Sequence, residues 1–270
     1  MSLFPPQFSK PALCALFFVF ALRIAPAQQQ EPKPMDPQLH PKFEVATIKL
    51  SDPDKHNSGF HTEGTRLFYE NETMQDMLAF AYKVTVRQVV GAPDWFTSKH
   101  FDIRGTADES GIASLAQQQE MLRLLLEDRF KLKVRHEERD MVRVVITVAH
   151  GGPKIKPTER KDFLPDVSCR GSASARDCTF AGVSMDLFAF ALQFMLDRPV
   201  INKTGLEGKY DFHLKFTPAD APTGADTSAN ADAAPNLFTA MAEQAGLHAD
   251  SSKGPTEVIV VDHVDLPSDN

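Results

Sequence analysis

The chain has 270 residues and a formal net charge of −7, with lysine and arginine scattered rather than clustered. An acidic chain of this kind lacks the electrostatic footprint that phosphate backbones and anionic lipids demand, which argues against nucleic acid and membrane-surface partners. Its length allows one large or two small domains.

At the N-terminus Lys10 precedes an uncharged apolar run from Ala12 to Leu22, followed by Ala25, Pro26 and Ala27. A run of 11 residues falls short of the roughly 20 needed to cross a hydrocarbon core. Small residues at Ala25 and Ala27 supply an A-x-A cleavage pattern, so residues 1–27 read as a secretory signal peptide. An uncleaved anchor is the alternative. Lipid attachment at Cys14 is disfavoured because Leu13, before it, is not small. Cleavage is expected to leave Gln28 first. It removes Lys10 and Arg23 and no acid, taking the charge from −7 to −9. The expected location is therefore periplasmic or extracellular, without membrane insertion after cleavage.

Residues 28–42 are rich in Gln, Pro and Lys and read as a disordered tether. Phe43, Val45 and Ile48 suggest a strand, Ser51 to Gly59 a turn, and Arg66 to Tyr69 a second strand. Asp52, Asp54 and Asn57 superficially resemble a calcium loop, but the spacing is wrong and no glutamate closes it, so a solvated turn is expected. Thr73 then caps an amphipathic helix carrying Met74, Met77, Leu78 and Ala81 at helical spacing. Gln88 to Val90, the turn Gly91-Ala92-Pro93-Asp94-Trp95 and a strand at Phe101 to Arg104 follow. A longer helix over Leu115–Asp128, apolar on more than one face, is expected to be the most buried of this half. Two strands, Lys131–Glu137 and Val142–Ala149, are expected to be joined by a polar turn at Glu138–Asp140.

The second half repeats the first. Ser184-Met185-Asp186 answers Thr73-Met74-Gln75, Val200-Ile201 answers Val89-Val90, Tyr210-Asp211-Phe212 answers Phe101-Asp102-Ile103, and a helix capped by Asn236 answers the one at Leu115. The predicted fold class is α+β, a tandem duplication of a strand-helix-strand-helix-strand unit with helices packed on a face of each sheet. The first repeat is placed at 43–157 and the second at 158–270, with a flexible insertion at 221–234. Surplus apolar side chains at Phe188, Phe190, Phe194 and Met195 are expected at the interface between copies. Cys169 and Cys178, in an oxidising compartment, are expected to form a disulfide; no histidine lies near enough to favour a metal site.

Five stretches carry a family resemblance: Phe43 to Lys49, Gly91 to Trp95, Asp128 to Leu132, Gly151 to Lys154 and Thr204 to Phe212. Together they resemble the soil-associated protein family abundant in acidobacteria, over nearly the whole chain. That family has no assigned activity, but fusion of some relatives to membrane metallopeptidases of the beta-lactam-sensor type implies extracytoplasmic sensing. Each copy also carries a looser resemblance to the short N-terminal domain of secretins and TonB-dependent transducers, which implies protein binding.

Catalytic signatures do not emerge. The chain lacks Gly-x-Ser-x-Gly, His-Glu-x-x-His, Ser-x-x-Lys and a phosphate-binding glycine loop. Histidines with acidic neighbours are His136, beside Glu137 and Glu138, and His61, near Glu63; both read as surface polar groups. Asp102 and Asp211 recur in the two copies and read as outward-facing strand residues. Trp95, the single tryptophan, is either an exposed anchor for a partner or a ring closing the edge of the core. The expected role is a binding or sensing module without cofactor, its partner another envelope protein or a cell-surface ligand. A hydrolase with an unrecognised site and a structural envelope protein are the alternatives.

Overall fold

The computed structural model describes residues 33–160, 164–172, 175–218 and 234–267. The expected leader at 1–27, and all but Ala234 of the expected insertion at 221–234, lie outside the described residues. Among the described residues no helix is long and apolar enough to cross a membrane.

The first half contains β1 (Phe43–Leu50), β2 (Gly59–Glu63), β3 (Arg66–Thr73), α1 (Met74–Ala81), β4 (Val89–Val90), α2 (Trp95–Ser98), β5 (His100–Ala107), α3 (Leu115–Arg129) and β6 (Lys133–Val148). The second contains β7 (Lys156–Pro157), β8 (Asp166–Gly171), β9 (Arg176–Val183), α4 (Met185–Leu196), β10 (Val200–Asn202), β11 (Tyr210–Phe216), α5 (Leu237–Ala240) and β12 (Leu247–His263). After α5 the chain continues as a wider, π-type turn over Met241–Ala245. The fold is α+β, and the duplication is visible strand by strand. One outer sheet runs β1-β5-β3-β2 and the other β7-β11-β9-β8. Thr73 and Ser184 cap α1 and α4 alike, each hydroxyl accepting the backbone N–H three residues on.

A third sheet, ordered β10-β6-β12-β4, joins the halves. Here the expectation of one sheet per copy, holding β5 and β6 together, is overturned. The two long strands pair antiparallel with each other, and each short strand pairs in parallel with the other half's long strand: Val89 with Ile259, and Val200 with Val144. Ile259 follows Val144 by 115 positions (259 less 144), and the same offset separates Asp140 from Pro255, which stand opposite one another. A local two-fold axis therefore passes through that pair.

The expected turn at Glu138–Asp140 is not a turn; β6 runs straight through it, opposite Glu257 to Pro255. Of the charges that suggested a turn, Arg139 is paired along the ladder. Glu137 accepts from Arg135 and Arg139 at 2.9 and 2.8 Å, and Arg135 also pairs with Asp262.

Each core borrows from the other half. Met74, Leu78, Ile103, Met121 and Leu122 pack with Ile259 and Val261 of β12, while Phe180, Phe188, Leu192 and Leu214 pack with Val144 and Ile146 of β6. Neither core is closed by its own half alone, since each is completed by side chains of the other half's long strand. Helix α1, with six buried residues in its eight, is the more buried helix of its half, not α3. The reason is position: Phe80 of α1 lies 6.3 Å from Phe190 of α4, at the contact between halves. Phe188 is enclosed in its own core instead, and Phe194, 60% exposed, reaches solvent rather than the interface.

The expected tether ends earlier than 42. Met35 is 3% exposed and its N–H bonds the Ile112 carbonyl, while the Gln117 amide donates to the Asp36 and Leu39 carbonyls. The second half is locked differently. Cys169 stands opposite Cys178 in the β8–β9 hairpin and the two form a disulfide, where the first hairpin has Thr62 opposite Leu67. Closing so short a loop stabilises by about 2 to 3 kcal/mol on the chain-entropy account.

Candidate functional site

The recurring aspartates are not simply outward-facing. Each fastens a bulge in the neighbouring strand. Asp102 accepts the N–H of Asn71 at 2.8 Å, and Asp211 accepts the N–H of Gly182 at 2.6 Å. Asn71 and Gly182 both hold left-handed backbone, φ 53° and 65°, the conformation that glycine and asparagine tolerate best. This shared bond is scaffold.

In the first half more has been built on it. The Ser51 hydroxyl donates to Asp102 at 2.8 Å, the Lys55 ammonium lies 3.4 Å from it and 3.4 Å from Glu70, and the Asn71 amide donates to the Lys55 carbonyl. Burial pushes the Asp102 carboxyl up, but the Asn71 N–H, the Ser51 hydroxyl and the Lys55 ammonium outweigh it and hold it below the usual carboxylate range. These residues sit at one end of the β1–β5 pair, where Ser51, His56, Lys99 and His100 line a cleft of about 490 Å³. A smaller cavity of about 180 Å³ opens beside it over Ile48, Phe101 and Pro267, and Leu50 and Lys99 line both. The two form one groove, polar at one end and apolar at the other. In the second half the counterpart of the eight-residue β1 is the two-residue β7.

Glu72, beside this groove, occupies the place of the fully buried Val183 (183 less 72 is the same 111 that separates Thr73 from Ser184). Burial, reinforced by Asp76 and opposed by His100, pushes its pKa from an ordinary 4.5 up to about 7. An acid with a raised folded-state pKa loses stability as pH climbs from its unfolded value through its folded one. Glu72→Gln is therefore expected to leave stability unchanged near pH 4.5 and to raise it at pH 8, on the order of 1 kcal/mol once solvent screening of this part-exposed group is allowed for. Urea melts across that pH range check it; a gain that is the same at both ends would refute the assignment.

The other sequence-predicted residues lie apart. Asp52 accepts the N–H of Asp54, closing the solvated turn that was expected. His61 stacks on Phe68 while Glu63 pairs with Arg66. His136 reaches not Glu138 but Glu257 of the other half, at 2.8 Å. Among the described residues no group of three or more His, Cys, Asp and Glu is placed to hold a metal ion. Trp95 is half-buried, its ring edge-on to Phe96 at 5.1 Å and Phe101 at 6.3 Å, closing the rim of the first core.

Residues 75–264, from the second residue of α1 to the residue after β12, match the family described as protein of unknown function (DUF3738). The chain belongs to that family. No curated protein and no solved structure matches it. The matched span of this DUF3738 member includes Ser98, Lys99, His100 and Phe101 of the groove, and Asp102 next to it. It leaves out β1 and the Ser51–Lys55 loop that form the groove's other wall. Sequence reading missed the groove because its residues come from four separate stretches. The one available signal was Asp102 itself, whose counterpart Asp211 lacks the serine and lysine that the first half brings to it.

Proposed function

We propose that this DUF3738 member is an extracytoplasmic binding or sensing module whose ligand site is the groove at the end of β1 and β5. The observation that carries the reading is the difference between the copies. Scaffold recurs in both halves, as the bond from Asp102 to Asn71 and from Asp211 to Gly182 does. Ser51 and Lys55, on the groove's wall, are added to that scaffold in the first half, whereas among the described residues Asp211 has neither a serine nor a lysine on it. A hydrolase with Ser51 as nucleophile is less well supported: its hydroxyl donates to Asp102, and a carboxylate held low is a weak base.

Export is part of the proposal. It rests on the leader-like residues 1–27 and on the disulfide, and the likeness to the soil-associated family and to secretin and TonB-type domains points the same way. Intact mass of the protein recovered from its host should correspond to a chain starting at Gln28; a retained Met1 would refute cleavage of the leader. The binding reading is tested by recording amide NMR spectra of the chain against mixtures of small acids, sugars and short peptides. Shifts are expected at Leu50 to His56, Asn71 and Lys99 to His100. If no compound moves those signals, or all responses fall elsewhere, the groove is not the site.

A further inference from the structure

We infer that the groove binds a small amphipathic carboxylate, its aliphatic chain lying in the apolar end and its carboxylate held by Lys49 and Lys99. This rests on the reading of the groove as the ligand site and adds the ligand's chemistry.

Three observations converge on it. Leu50 and Leu266 are 56% and 48% exposed, unusual for leucines, and both line the smaller cavity, whose floor is the 2%-exposed Phe101. Their uncovered surface is thus gathered in one concave place, where an aliphatic chain would shield it. Lys49 and Lys99 line the same cavity. Neither is among the lysines with a carboxylate within 4.0 Å; those are Lys55 and Lys131, among the described residues. In a chain with seven more acids than bases, two lysines beside an apolar floor, neither with a carboxylate partner among the described residues, leave a place for an anion from outside.

A carboxylate fits better than a phosphate. The groove's lining holds no arginine fork, the group suited to bidentate phosphate recognition. Asp52 at the polar end, with Asp102 and Glu70 behind it on Lys55, would repel a dianion more than a monoanion.

The test is a calorimetric and NMR titration of the chain with octanoate, octanol and octyl phosphate. Octanoate is expected to bind, with a Kd of about 0.1 mM, and to shift Leu50, Lys99 and Phe101. The double substitution Lys49→Gln with Lys99→Gln should weaken octanoate by about tenfold and leave any binding of octanol unchanged. Leu266→Asp should abolish both. Octanol binding as tightly as octanoate, or octyl phosphate binding more tightly, overturns the carboxylate assignment while leaving the groove as the site. So does a groove that answers other compounds in the mixtures and not octanoate. Silence at the groove towards every probe overturns the inference and the reading beneath it together.

Discussion

Expressed alone, residues 33–157 are expected not to fold. The first core would lose Ile259 and Val261, which close it from the other half. β4 would have no strand to pair with, and β6 would lose its whole antiparallel partner from Leu247 to His263. Removing two buried aliphatic side chains alone amounts to roughly 4 to 8 kcal/mol at 2 to 4 each, and small domains have about 5 to 15 kcal/mol in total. An unpaired strand of 16 residues would in addition present a bare edge to other chains. The fragment should show collapsed amide dispersion and disordered circular dichroism, and mixing it with residues 158–267 should restore the spectrum of the intact chain. A well-dispersed spectrum from the first fragment by itself would disprove the exchange of strands as a stability requirement.

Phe188→Ala is expected to destabilise the whole chain by about 3 to 5 kcal/mol, and the loss should be visible from a tryptophan in the opposite half. Phe188 is fully buried in the second core, edge-on to Phe180 at 5.0 Å and to Phe212 at 5.1 Å. Trp95, the single tryptophan, packs at the rim of the first core. Because β6 and β12 each contribute to both cores, the two cannot separate without breaking the central sheet, and unfolding should be one cooperative transition. The urea midpoint followed by Trp95 fluorescence should therefore fall in Phe188→Ala as far as the midpoint followed by circular dichroism. A tryptophan transition that stays where it was, while the dichroism transition moves, would show two independent domains.

The repeat was legible because its markers are local. Thr73 and Ser184 are caps, the residues after them follow helical spacing, and alternation around Asp102 and Asp211 marks strands. What escaped depends on partners more than a hundred residues away. Glu138, Arg139 and Asp140 look like a turn to any rule that reads neighbours, yet they form a strand because Glu257, Thr256 and Pro255 lie opposite and the arginines find Glu137 and Asp262. Equally, nothing around Val89 or Val200 announces that each will join the other half's long strand. The groove was hidden for a related reason: Leu50, Lys99 and Leu266 are unremarkable singly, and their meaning comes from standing around one hollow. The disulfide was legible because both its cysteines lie on one hairpin.

The two-fold axis through Asp140 and Pro255 carries a consequence for how such a chain could arise. Hydrogen bonds made across a dyad are the same whether the two partners share a backbone or not. A single unit meeting its twin would close the same central sheet as a symmetric dimer, each lending the other a long strand and a short one. Fusing the twins into one chain removes the requirement that both stay alike. A change in one place no longer has to be tolerated in two, and the disulfide hairpin of the second half, where the first has Thr62 opposite Leu67, is a divergence of that kind.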